Sequence, residues 1–215
     1  MVAQKHRTRG MQVADGHEAK IFAEEESPLL RREEFVPPDW VRTPSDVRDY
    51  KQFLDYAGPK NAKLIYYYFK VANSLFPGHF IEVVNAENDR KGGRLVTYSK
   101  KVETDRTYNV FYEHLRNWHN GGKKCETCEE CAKHLARASS PVVEELKREM
   151  RDAGIRVNDS PGNVGFVEDR PVFFEISRVD AGKLKDYITK TRKTGSKRLL
   201  NFVKRIEEIG FESRE

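Results

Sequence analysis

A chain of 215 residues with 38% hydrophobic and 34% charged residues has enough apolar material for a packed core beneath a heavily charged surface. No run approaches the roughly 18 apolar residues of a membrane-spanning helix. The N-terminus MVAQKHRTRG also lacks the apolar stretch of a signal peptide, so a soluble cytoplasmic protein is expected, not a membrane one. The net charge of +5 is unevenly placed, because Arg178 to Arg205 holds ten Lys or Arg against two Asp and no Glu. Such a stretch attracts phosphate, as in nucleotide or nucleic acid, or an acidic protein surface.

In chain order, "HEAKIFAEE" predicts one short strand that carries Lys20. "RREEFVPPDWVRTPSDV" is broken by Pro37, Pro38 and Pro44 and is expected to be an extended connector. Asp46 opens a helix with apolar positions Val47, Tyr50, Phe53 and Leu54. "NAKLIYYYFKVANSLF" is a stronger helix, stopped by Pro77 and Gly78. "HFIEVVNAE" and "GRLVTYSKKVE" flank the turn-like "NDRKGG" and predict an antiparallel pair.

"TYNVFYEHLRNWHN" predicts a helix with Val110, Phe111, His114, Leu115 and Trp118 on its apolar face. Ser140 and Pro141 are an N-cap and first position for "VVEELKREMRDAG", and Gly154 is its stop. "VGFVEDRPVFFEI" then alternates as a hairpin, and "AGKLKDYITKTRK" and "SKRLLNFVKRIEEIG" close the chain as helices, the last capped by Ser196 and ended by Gly210. The whole predicts an α+β protein, a small antiparallel sheet region plus helices.

"CETCEECAKH" places Cys125, Cys128, Cys131 and His134 three residues apart. Three thiolates and an imidazole make a competent tetrahedral Zn²⁺ set, and the C-x-x-C spacing is that of a metal knuckle. A three-cysteine run also serves iron–sulfur ligation with a fourth ligand elsewhere, and His119 is a further candidate. On a continuous helix residues three apart turn by about 300°, so four of them fan across half the circumference. A metal site therefore requires a turn at least through Cys128. The competing reading is a charged helix bearing reduced cysteines; a disulfide framework would leave one of the three unpaired. With four protein ligands, a zinc ion here would be structural.

"TKTRKTGSKR" offers Lys190, Arg192, Lys193, Lys197 and Arg198 around a helix start, a set suited to phosphate or nucleic-acid backbone. The bland alternative is a solvated helical face.

"RVNDSPGNVGFVEDRPVFFEISR" raises the sharpest expectation. With its tight turn centred on Asp169 and Arg170, Asn163 falls beside Ile176 and Val164 beside Glu175. Asn163 and Glu175 then meet at the open end, where an amide oxygen and a carboxylate suit Mg²⁺. This stretch resembles the protein kinase-like fold, whose catalytic loop H-R-D-x-x-x-x-N is followed by a short hairpin and D-F-G. "NDSPGN" stands at the loop and "EIS" at the D-F-G place, and "EAKIF" would be the strand with the phosphate-pairing lysine, Lys20.

The resemblance runs from about residue 17 to 180. It implies a two-lobe arrangement, with a sheet-and-helix lobe over residues 1–102 and a helical lobe over 103–215. It implies ATP with Mg²⁺ as ligand, Lys20 on phosphate, Asn163 and Glu175 on metal, and Asn158 or Asp159 in the base position. The pattern's catalytic Asp falls on Asn158, which cannot accept a proton, and no G-x-G-x-x-G precedes Lys20. The implied protein is a phosphotransferase or a pseudokinase with a separate zinc knuckle. Two other readings remain open: a zinc-stabilised nucleic-acid-binding module with a purely structural hairpin, and a PD-(D/E)xK-like nuclease using Asp159 and Glu175, which lacks the expected lysine because Ser177 stands there.

Overall fold

The computed structural model describes residues 11–15, 19–23, 27–35, 62–89, 94–119, 122–123, 125, 127–191 and 196–212. The expected helix after Asp46 lies outside these residues, as does the proline-rich part of the connector. Among the described residues the protein is α+β, with six helices and small antiparallel sheets. No helix there is long and apolar enough to cross a membrane.

Five strands form the first sheet: β1 (Met11–Asp15), β2 (Ala19–Ala23), β3 (Leu29–Phe35), β4 (Val83–Asp89) and β5 (Arg94–Lys100), in the order β1-β2-β3-β5-β4. The β4–β5 pair is the expected one. The centre of the sheet is not: the "LLRREEF" segment, expected as part of a connector, is strand β3, paired on both sides. Two of its charged residues pair with each other. Arg31 and Glu33, two apart and so on one face, are both buried and form an ion pair at 3.5 Å. Arg32 stands on the other face, in register with Ile21 and Thr97.

Helix α1 (Ala62–Leu75) buries Leu64, Tyr68, Phe69, Val71, Ala72 and Leu75. Asn73 fixes its exit by donating to the carbonyls of Phe69 and Ile81, at 3.1 and 3.0 Å. The next helices are α2 (Arg106–His119), α3 (Glu129–Ala138) and α4 (Pro141–Asp152). Ser140 caps α4, with its hydroxyl accepting from the Val143 amide, and Pro141 takes the first position. Gly154 ends that helix at φ +84°, where an added Cβ would lie 2.7 Å from the Asp180 carbonyl oxygen; glycine is required on both counts.

Two short ribbons follow. Strands β6 (Ile155–Val157) and β9 (Ile176–Val179) pair antiparallel, and β7 (Val164–Val167) pairs with β8 (Arg170–Phe173). Helices α5 (Ala181–Thr191) and α6 (Ser196–Glu212) complete the fold, α6 running two residues past the expected stop at Gly210. One apolar cluster joins α1, the ribbons and α4 to α6 through Leu75, Met150, Ile155, Phe173, Leu184 and Val203, among others. The sheet and ribbons meet where Phe80 bridges Phe173, with their rings 5.8 Å apart.

Candidate functional site

The cysteine segment is built by a helix reversal. Asp105 caps α2 by accepting from the Tyr108 amide at 3.0 Å, and His114 lies farther along the same helix. The Gly122 amide donates to the Asn117 carbonyl at 2.9 Å, and a Cβ at 122 would stand 2.6 Å from that oxygen, so the chain can fold back this tightly only with glycine there. Cys125 and Cys128 precede α3, Cys128 as its N-cap residue, and Cys131 lies in its first turn. As the helical geometry demands, the segment is non-helical through Cys128.

His114, Cys125, Cys128 and Cys131 place one donor atom each within 4.8 Å of one another, and His114 Nδ1 lies 3.1 Å from Cys131 Sγ. This group could hold a metal ion such as zinc. Zn–S bonds of about 2.3 Å and Zn–N bonds of about 2.0 Å require tetrahedral edges of roughly 3.5–3.8 Å, so the His114–Cys131 pair would open by a few tenths of an ångström and wider pairs would close by up to about 1 Å. The Cys131 and Glu130 amides at the start of α3, that of Cys131 above all, hold the Cys128 thiol below its ordinary range. Burial, reinforced by the thiols of Cys128 and Cys125, pushes Cys131 up to about 12. The amides thus favour the thiolate at Cys128, and at Cys131 burial favours the neutral thiol unless a cation stands beside it.

His134, expected as the fourth ligand, is not in this group. One turn beyond Cys131 and rotated by about 60° on the helix, it points into the core at 0% exposure. There its ring lies 4.6 Å from Phe111 and 5.4 Å from Tyr108. Its Nε2 is 2.9 Å from the Pro161 carbonyl, which can only accept, so Nε2 carries the proton and Nδ1 is left with no hydrogen-bond partner among the described residues.

Burial holds the His134 pKa below the ordinary value, despite opposing effects of the Pro161 carbonyl and Asp105. The sign follows from linkage: below pH about 6.5 the unfolded chain takes up a proton that folded His134 refuses, so stability falls as pH drops from there toward the folded pKa. Urea unfolding of zinc-loaded protein between pH 7.5 and 5 should show this loss. The His134→Gln variant should lose less than wild type over that range; equal losses would mean that burial does not lower the His134 pKa.

The hairpin register differs from expectation. Its turn centres on Glu168 and Asp169, with Glu168 at φ +57°, and Val164 pairs Phe173. Asn163 consequently faces Phe174: its carbonyl accepts the Phe174 amide at 2.9 Å, and its own amide donates to Ser160 at the same distance. Glu175 meets different partners. Arg32 Nη2 donates to Glu175 Oε1 at 2.6 Å, and Asn158 Nδ2 donates to Oε2 at 3.0 Å. Asn158 Oδ1 accepts the Ser160 amide at 3.0 Å, and Asp159 lies 3.8 Å from Lys147, itself buried and paired with Glu144 at 2.9 Å.

Three distant segments therefore converge on Glu175: the central strand of the sheet, the "NDSPGN" turn and the residues after the hairpin. Lys20 sits in β2, one strand over, in register with Glu33, and its side chain lies outside the described part of the structure. Sequence reasoning missed Arg32, because four consecutive charged residues in "LLRREEF" hide any strand period.

Of the basic set, Lys190, Lys197 and Arg198 are exposed, and Arg192 and Lys193 lie outside the described residues. The neighbouring cations are largely neutralised by acids of α6: Lys185 pairs Glu207 at 2.6 Å, and Arg205 and Lys204 pair Glu208 at 2.8 and 3.8 Å. An open groove of about 430 Å³ lined by Lys63, Tyr66, Asn85 and Arg205, among others, shares no residue with the metal group or the Glu175 cluster. No protein-family model matches the sequence, and no curated protein is significantly similar to it.

Proposed function

We propose that the protein is a kinase-like nucleotide-binding protein that takes ATP with Mg²⁺ between β3 and the 158–175 segment, and that the Cys/His group is a separate structural zinc knuckle. The observation that carries the reading is the Arg32–Glu175 ion pair at 2.6 Å. It joins a sheet strand to the D-F-G place across 143 residues of sequence, the juxtaposition that a kinase-like arrangement requires. Arg32, in place of Lys20, supplies the phosphate-pairing cation, and the Glu175 carboxylate supplies an oxygen ligand for the metal.

Support for phosphoryl transfer is weaker than for binding. Asn158 in the base position is an amide that donates to Glu175, and Asp159 is drawn toward the Lys147 ammonium. The reading is therefore a nucleotide binder in the manner of a pseudokinase.

Thermal unfolding with a non-hydrolysable Mg²⁺–ATP analogue tests it. At one hundred times Kd, wild type should gain about 2.7 kcal/mol, or roughly 5–11 °C for a chain of this size. Glu175→Ala should lose the gain and Arg32→Ala most of it. No gain in wild type would sink the nucleotide reading, and an equal gain in Glu175→Ala would place the nucleotide elsewhere.

A further inference from the structure

Residues Cys131, His134 and Arg137 follow one another at three-residue spacing along one side of α3. Each holds something different. Cys131 belongs to the metal group with His114 of α2. His134 donates to the Pro161 carbonyl at 2.9 Å. Arg137 pairs with Asp105 at the start of α2 and donates to the Glu168 carbonyl at 2.7 Å, in the turn of the β7–β8 hairpin.

Helix α2 reaches the same loop from its own side. The Tyr108 hydroxyl donates to the Gly162 carbonyl at 3.0 Å, and a Cβ at Gly162 would come within 2.8 Å of Leu115 Cδ2. Burial pushes the Tyr108 pKa well up, so this donor keeps its proton. Two successive loop carbonyls, Pro161 and Gly162, are thus each held by a separate helix, and those two helices share the Cys/His group. That loop runs from Asn158, bonded to Glu175, to Asn163, bonded to Phe174.

We infer that the metal ion acts as a clamp that positions the 158–163 loop, and that His134 and Tyr108 are the positioning residues through which it acts. With the ion bound, α2 and α3 are fixed relative to one another, and the spacing of the two donors matches that of the two carbonyls. The metal group ties α2 to α3 at the cysteine end, and the Arg137–Asp105 ion pair ties the opposite end of the two helices. The inference rests on the metal reading above and is independent of whether the loop serves a nucleotide.

Amide hydrogen exchange on the full chain, with zinc content measured by elemental analysis on the same samples, tests it. Chelation should speed exchange at Gly162 and Asn163 about tenfold, a shift of about 1.4 kcal/mol, and leave α5 unchanged. Zinc-loaded His134→Phe should show most of that acceleration with its metal retained, and His134→Gln, which keeps a donor, should restore slow exchange. Tyr108→Phe gives an independent arm should the His134→Phe protein fail to fold, and it should accelerate exchange at the same amides.

Exchange at Gly162 and Asn163 that is indifferent to chelation, in protein shown to bind and release zinc, overturns the clamp and leaves the metal reading standing. Protein that takes up no zinc overturns the metal reading, and the clamp with it. Loss of zinc from His134→Phe overturns the assignment of His134 as a residue separate from the metal ligands.

Discussion

Stripping zinc from protein loaded with it is expected to lower the melting temperature by roughly 8–16 °C. A ligand that binds only the folded state stabilises it by about 4.1 kcal/mol at one thousand times Kd, and a chain of about 200 residues shifts by roughly 2–4 °C per kcal/mol. The donors make the effect large: three sulfurs and one imidazole nitrogen lie within 4.8 Å of one another, and Cys131 is only 6% exposed. Cys131→Ser should melt at the same temperature with and without chelator. The histidines separate the two possible ligand sets, since His114→Ala should abolish zinc uptake and His134→Gln should leave it stoichiometric. The converse result would restore His134 as the ligand, and a melting temperature indifferent to chelator in zinc-containing protein would remove the structural role.

The expectation of His134 and the finding of His114 show what a linear reading can and cannot reach. Repeated three-residue spacing made His134 the natural fourth ligand, and the same periodicity put it out of reach once Glu129 began a helix. His114 lies on the apolar stripe of α2, where a histidine reads as core, and only the reversal at Gly122 brings it to the cysteines. Elements with local signals were legible: α1 from its period, α4 from Ser140, Pro141 and Gly154, and the β4–β5 pair from its β-branched residues. Strand β3 was hidden, because its charges read as solvated connector, whereas Arg31 and Glu33 pair on one face and Arg32 pairs with Glu175, 143 residues away.

The hairpin illustrates how one residue decides a site. Centring the turn on Asp169 and Arg170 avoids a left-handed conformation at glutamate, which non-glycine residues seldom adopt. The chain accepts that conformation at Glu168, whose carbonyl Arg137 holds at 2.7 Å. The displaced register removes Asn163 from the neighbour position of Glu175, and the β6–β9 ribbon, with Val157 opposite Ile176, brings Asn158 there instead. Convergence on Glu175 was foreseeable from the loop–hairpin order, but its partners come from β3 and from the end of the β6–β9 ribbon, pairings between segments distant in sequence.

Phe173→Ala is expected to cost about 3–5 kcal/mol, the range for truncating a buried phenylalanine, and so to lower the melting temperature by roughly 6–20 °C. Phe173 is 0% exposed and packs against the Phe80 ring at 5.8 Å. Its backbone is also engaged: its amide donates to the His79 carbonyl at 2.8 Å, and its carbonyl accepts from the Ile81 amide at 3.3 Å. The side chain thus fills the junction between the segment leading into β4 and the hairpin leading to Glu175. Phe173→Leu keeps most of the volume and should cost less than half as much. Neither variant should alter zinc content, because the metal ligands belong to α2, α3 and the turn between them and take no part in this packing. A loss below about 1 kcal/mol in Phe173→Ala would show that the junction collapses around the gap. In that case the Arg32–Glu175 pair and the backbone bonds at His79 and Ile81 would be enough to hold sheet and hairpin together.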